Sequence, residues 1–176
     1  MAGINEAHEF IPVGIAILTV SDTRNESDDE SGGTLLQRAK DAGHNVVIRK
    51  VVRDDVESIR GTVTGWIDDP GINVIITNGG TGITGRDITP EALAPLFDKP
   101  IEGFGELFRM ISYTKVGTST MQSRALGGLA KETYIFALPG SPSACRDGWD
   151  EILVHQLDSR HGPCNLVELM PRLIER

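Results

Sequence analysis

The chain has 176 residues, 39% of them hydrophobic and 24% charged, which is the size and make-up of one soluble domain around a single core. Its formal charge of −8 excludes a general nucleic-acid binder, which needs a basic excess to displace counterions, and no run approaches the roughly 18 apolar residues of a membrane span. Two cysteines, Cys145 and Cys164, without a CxxC or a nearby ligand pattern, suggest reduced thiols rather than a disulfide framework or a zinc site.

Residues 1–12 contain Glu6 and Glu9 but no basic cluster and no apolar core of a secretory signal, so the expected compartment is the cytoplasm. Residues 13–20 read VGIAILTV, a continuous apolar run that ends in the turn formers Ser21 and Asp22 and predicts a buried strand. After an acidic loop at 25–30, Leu35, Leu36 and Ala39 recur at helical spacing up to Gly43. Residues 45–52 (NVVIRKVV) predict a second strand. Val56, Ile59, Val63, Trp66 and Ile67 then predict an amphipathic helix stopped near Pro70-Gly71.

A third strand is predicted at 73–77, followed by a glycine-rich loop at 79–85 and a helix with Thr89 as N-cap and Pro90 at its first position. Residues 101–130 read as a helix carrying Phe104, Leu107, Phe108, Met110 and Ile111, then a polar loop at 117–124, then another helix. A fourth strand at 134–138 leads through Pro139-Gly140-Ser141-Pro142 into a last helix with Ala144, Trp149, Ile152, Leu153 and Leu157. From Gly162 onward, with Pro163 and Pro171, no periodicity is visible, and a tail lying along the domain surface or a neighbouring subunit is expected. This alternation predicts a single-domain three-layer α/β/α sandwich with a mostly parallel sheet. The expected division is an extension at 1–12, the domain at 13–166 and a tail at 167–176.

In open α/β sheets ligands bind beyond the carboxyl ends of the strands, so the loops starting at Ser21, Arg53, Asn78 and Pro139 should converge. The segment NGGTGITGRDIT (78–89) contains G-x-G-x-x-G at Gly80, Gly82 and Gly85. It follows the third strand, with Arg86 to Ile88 before the helix and no acidic strand end about 20 residues on, so it does not read as a dinucleotide fingerprint. Glycines that let backbone amides approach an anion ahead of a helix start read as a phosphate-binding loop, or else as a tight turn. Asp87 beside Arg86 suits a Mg²⁺ carboxylate next to nucleotide phosphates, or an acid favoured by a helix dipole. Asp54 reaches the same edge as a second carboxylate, or caps the following helix together with Glu57. Ser119, Ser123 and Arg124 read as a phosphate or pterin grip or as a solvated face. Pro139, Gly140 and Ser141 read as an anion site or as a cap. The histidines show no metal-ligand or triad spacing.

Taken in order, Gly79-Gly80-Thr81-Gly82, Arg86-Asp87-Ile88-Thr89-Pro90-Glu91-Ala92, Gly117-Thr118-Ser119, Ser123-Arg124-Ala125 and Leu138-Pro139-Gly140-Ser141 resemble the MoaB/MogA family of molybdenum cofactor proteins. The resemblance runs from about Val13 to Leu166, and 101–110 and 117–124 look closest to MoaB. It implies a molybdopterin-binding fold and, for active members, transfer of AMP from Mg-ATP to the terminal phosphate of molybdopterin. It also implies that Gly79, Gly80, Thr81, Gly82 and Arg86 serve the nucleotide and that Asp87 and Asp54 serve Mg²⁺ and catalysis. Ser21, Asp22 and Thr23 would line the first loop, while Ser119, Ser123, Arg124 and Ser141 would face the pterin. Trimers or a dimer of trimers are implied as well. Asn78 departs from the Thr or Ser that many members have before the glycines, and a non-catalytic molybdopterin-binding or scaffold paralogue is the alternative to the transferase. A third function class, a nucleotide hydrolase of the competence-damage type, shares related folds.

Overall fold

The computed structural model describes residues 3–175, so residues 1, 2 and 176 of the two terminal segments lie outside it. Its first long strand is β2 (Gly14–Val20), buried along its whole length. The order of elements begins with β1 (Gly3–Ile4), β2, α1 (Glu30–Asp41), β3 (Asn45–Val52), α2 (Val56–Ile67), β4 (Val74–Asn78), α3 (Thr89–Leu93), β5 (Lys99–Pro100) and α4 (Glu102–Val116). It continues with β6 (Leu126–Ala130), β7 (Thr133–Leu138), α5 (Pro142–Gly148), α6 (Val154–Gln156), β8 (His161–Gly162) and α7 (Leu166–Leu169).

Six strands form the main sheet in the order β3-β2-β4-β7-β6-β5. The β3-β2, β2-β4 and β4-β7 pairs are parallel, and β6 and β5 complete the sheet antiparallel. Because side chains alternate across a strand, Ile15, Ile17, Val74, Ile76, Tyr134 and Phe136 enter one core, beneath α1, α4 and α5. Ala16, Leu18, Ile75, Ile135 and Ala137 enter the other, beneath α2 and α3. Both faces are covered, as continuous apolar strands require, and each fully buried Ile or Leu contributes roughly 1.5–3 kcal/mol. The expected three-layer sandwich with a mostly parallel sheet is what the chain forms. Among the described residues no helix is long and apolar enough to cross a membrane.

Three local expectations are corrected. The second helix expected before residue 130 is strand β6, preceded by a 3-10 turn at Gly117–Gln122. Gly127 and Gly128 explain the difference, since two adjacent glycines weaken a helix by about 1 kcal/mol each but let a strand lie close to aromatic rings. A Cβ on Gly127 would stand 2.9 Å from the Phe136 ring, and one on Gly128 would overlap the Phe97 ring. At α3 the N-cap is Ile88 without a side-chain bond, because the Thr89 hydroxyl is used elsewhere: it donates to the Gly79 carbonyl at 2.9 Å. The C-terminal segment is less irregular than its sequence suggests. β8 pairs with β1, α7 starts with Asn165 as N-cap, and Val167 enters the core while the Tyr134 hydroxyl donates to the Leu166 carbonyl. The last long helix has a π-helical turn at Trp149–Leu153 between α5 and α6, and it buries Trp149, Ile152 and Leu153.

Candidate functional site

The carboxyl ends of β2, β3, β4 and β7 deliver the four expected loops to one edge of the sheet. β4 ends at Asn78, and Gly79 and Gly80 follow with φ of 95° and 62°, a left-handed turn that L side chains resist. Close approach excludes side chains there too. A Cβ on Gly79 would overlap the Val20 carbonyl oxygen, and one on Gly80 would run into the Thr89 hydroxyl and come within 3.3 Å of Asp54 Oδ1. The loop is tied down by the Gly79 amide donating to the Leu138 carbonyl (3.1 Å), the Thr89 amide to the Gly80 carbonyl (3.0 Å) and the Thr89 hydroxyl to Gly79. The amides of Gly80 and Thr81 have no protein acceptor among the described residues, which leaves two donors on the loop.

Asp87 and Asp54 both face this loop. A Cβ on Gly82 would lie 2.7 Å from Asp87 Oδ2, so glycine there makes room for the carboxylate. The same oxygen accepts from the Thr84 amide (2.9 Å) and hydroxyl (2.7 Å). Burial works against ionisation of Asp87, but the Thr84 hydroxyl and amide, the Gly82 amide and the Arg124 charge outweigh it and hold the carboxyl below its usual value. Asp54 moves the other way: partial burial, then the neighbouring negative charge of Asp87, push its carboxyl above the usual range. Capping of α2 falls to Asp55, whose side chain accepts from the Ser58 amide at 2.8 Å, so Asp54 is free to face the glycine loop. The charge of Asp87 opposes ionisation of Asp54, a repulsion that a divalent cation shared by the two carboxylates would relieve. Being only two, they suit Mg²⁺, which takes its remaining ligands from substrate phosphates and water.

The other expected residues fall into three groups. In the first loop, Ser21 Oγ accepts from the amides of Thr23 and Arg24, Asp22 Oδ1 accepts from the Asp54 amide, and Asp22 forms an ion pair with Arg86. Ser21 and Asp22 line a hollow of about 370 Å³ with Arg24 and Arg53. A second hollow of about 380 Å³ is lined by Thr84, Asp87, Glu91 and Arg124 among others. In the turn after β7, Gly140 packs against Gly79, a Cβ there coming 3.0 Å from the Gly79 Cα, and Ser141 caps α5 by accepting from the Ala144 amide. The capping reading of Ser141 is therefore realised. Ser119 is exposed on the 3-10 turn, and Ser123 Oγ accepts from the Ala125 amide. Thr81 is buried and its carbonyl accepts from the Arg124 amide. The Asn78 side chain is fully buried and donates to Thr19 Oγ1 at 2.9 Å, so it bonds β4 to β2.

Several residues that shape the site were not singled out in the sequence. Thr84 stands three positions before Asp87, a spacing at which a carboxylate takes up main-chain and hydroxyl donors, so a local signal existed. Arg24 and Ser31 both donate to the Gly140 carbonyl, and no local signal connects positions more than 100 residues apart. The thiol of Cys145 sits under the Pro139 turn, and burial pushes it up to about 12, which excludes it as a nucleophile.

Residues 16–159 match the family model described as a probable molybdopterin binding domain. The chain is 53% identical over 157 residues to molybdenum cofactor biosynthesis protein B of Escherichia coli K12, covering 89% of this chain and 92% of that protein. A crystal structure of a molybdenum cofactor biosynthesis protein B superposes with a TM-score of 0.84 at 41% identity, covering 94% of this chain and 98% of the other. The tungsten cofactor synthesizing protein MoaB of Pyrococcus furiosus superposes with a TM-score of 0.73 at 37% identity, covering 81% and 91%.

Proposed function

The chain belongs to the MoaB/MogA family of molybdenum cofactor biosynthesis proteins, and on that premise we propose that it binds molybdopterin and transfers AMP to it from Mg-ATP. The observation that carries the proposal is one loop, 79–82, with unpaired amides at Gly80 and Thr81 and with Asp54 and Asp87 on its flank.

In this reaction a terminal phosphate oxygen of molybdopterin attacks the α-phosphorus of ATP, the bond from that phosphorus to the α,β-bridging oxygen breaks, and pyrophosphate leaves. Two anions must meet, so the protein's part is to position them and balance their charge. The amides of Gly80 and Thr81 would bind phosphate oxygens at a place where no Cβ intrudes. Arg86 would leave Asp22 and turn to phosphate, an exchange of one exposed partner for another that costs little. Asp54 and Asp87 would hold Mg²⁺, which when bound neutralises phosphate charge. Asp87 is ionised for this across the ordinary pH range, with one oxygen fixed on Thr84. Ser119 and Ser123 would face the pterin.

Incubation with molybdopterin, Mg²⁺ and α-labelled ATP tests this directly. Label should appear on the pterin with wild type and fall by at least about a hundredfold in Asp87→Asn, the loss expected when charge balance in the transition state is removed. Absence of any labelled pterin with wild type would reject the transferase. A second reading, a molybdopterin-binding paralogue without turnover, draws on Asn78, whose buried amide offers no hydroxyl beside the glycine loop. Molybdopterin binding without transfer would select it. Self-association belongs to the same proposal: Met110, Tyr113, Val116 and Met121 are exposed on α4 and the turn after it, the face that another copy of the chain would cover. Light scattering should give a trimer or hexamer, and a monomer would refute it.

A further inference from the structure

The geometry points to Arg124 as a positioning residue for this reaction, one that holds the 82–87 loop in the shape that presents Asp87 and does not itself bind phosphate or pterin. The inference rests on the transferase reading of the site for its kinetic part. Its structural part stands separately.

Arg124 lies just before β6, 42 positions beyond the start of the loop, and makes four bonds to the stretch from Thr81 to Glu91, two of them to the loop itself. Its amide donates to the Thr81 carbonyl (2.8 Å), Nε to the Gly82 carbonyl (2.6 Å) and Nη2 to the Asp87 carbonyl (2.6 Å), while Nη1 pairs with Glu91 of α3. Each of the three guanidinium nitrogens thus makes one bond to a protein acceptor, which occupies three of the five N–H groups. The two carbonyls belong to the two ends of the excursion, so the planar fork closes its neck while Ile83, Thr84, Gly85 and Arg86 remain exposed at its tip. Lysine, a single point charge on a flexible stem, has no second arm in a fixed plane and cannot reproduce this bridge.

The consequence falls on Asp87. Its main chain is fixed through the carbonyl held by Arg124, and its side chain is fixed through Oδ2, which accepts from Thr84. A polar, partly exposed arginine beside a phosphate loop reads in sequence as a phosphate ligand, but here both arms of its fork, Nε and Nη2, bond the loop's own carbonyls. Glu91 orients the guanidinium from the far side.

The test compares Arg124→Lys, Arg124→Met and Glu91→Gln with wild type. Hydrogen exchange of the 82–87 amides is read in each, together with the affinity for a non-hydrolysable ATP analogue with and without Mg²⁺, and kcat and KM for AMP transfer. Both Arg124 variants should expose the 82–87 amides while exchange elsewhere in β4 and β7 is unchanged, which separates a local effect from a failure to fold. The enhancement of analogue binding by Mg²⁺ should drop about tenfold, and kcat should fall by about a hundredfold, as a displacement near 1 Å does, with KM for molybdopterin within a few-fold of wild type. Glu91→Gln should stay close to wild type because both carbonyl bonds survive. A rise in KM at unchanged kcat would mark Arg124 as a ligand and overturn the proposal, as would full activity and unchanged exchange in Arg124→Lys. If wild type transfers no AMP, the transferase reading fails by itself. Exchange and the Mg²⁺ effect on analogue binding then decide the positioning role: deprotection with loss of the Mg²⁺ effect supports it, and no change in either overturns it.

Discussion

Substituting Gly79 by alanine tests the left-handed turn on which the site depends. The residue stands at φ 95°, and forcing an L residue into such a conformation costs roughly 1–2 kcal/mol. The added Cβ would also overlap the carbonyl oxygen of Val20 and lie 3.2 Å from its carbon. Those atoms are backbone at the end of β2, flanked by the β3 and β4 pairings, so no side-chain rotation can relieve the contact. Overpacking of this kind adds about 1–3 kcal/mol. The two effects together predict a loss of about 2–5 kcal/mol, a large part of the roughly 5–15 kcal/mol that stabilises a domain. Urea denaturation measures it: with a slope of about 2 kcal/mol per molar, the midpoint should fall by about 1–2.5 M. Gly85→Ala is the matched control, since its Cβ would meet nothing within 4 Å, and it should move the midpoint very little. Equal stabilities for the two variants would refute the argument that close backbone approach, rather than flexibility, requires glycine at 79.

Stability should also depend on pH through His44. Burial lowers its pKa from the usual 6.5, partly opposed by Asp158, and its Nδ1 accepts from the Val13 amide while the rings of Phe10 and Trp149 pack around it. The folded state then binds fewer protons than the unfolded one between the depressed value and 6.5. Stability is therefore full above about 6.5 and declines as pH falls toward the folded value. Denaturation midpoints across that window should show a slope in wild type that flattens in His44→Gln, and equal slopes would exclude His44 as the cause. Gly128→Val should destabilise by about 1–3 kcal/mol through collision with Phe97; a neutral or stabilising result in thermal melts would argue against strand β6. Asp54→Asn removes the like charge that faces Asp87, so titration with Mg²⁺ alone should show weaker binding despite the relief of repulsion. Unchanged affinity would remove Asp54 from the cation site.

What the sequence determined by itself is what local pattern and backbone chemistry decide. The apolar runs of β2, β4 and β7 have no polar face to expose, so each had to become a strand covered on both sides. Gly79 to Gly82 ahead of Thr89-Pro90 announced a tight loop before a helix start, and Asp87 beside it announced a carboxylate at that loop. Tertiary structure decided the rest. Leu126 to Ala130 became a strand because β7 and the rings of Phe97 and Phe136 were there to receive its glycines. The sequence offered Asp54 with Glu57 as a cap; the path of the chain after β3 gave the cap to Asp55 and turned Asp54 toward the glycines. Arg124 is a polar residue with several possible uses until the carbonyls of Gly82 and Asp87 come within reach of its guanidinium. Periodicity and turn chemistry act over a few residues and are written in the chain, whereas hydrogen bonds across 42 or 109 positions exist only after the sheet has brought its loops to one edge.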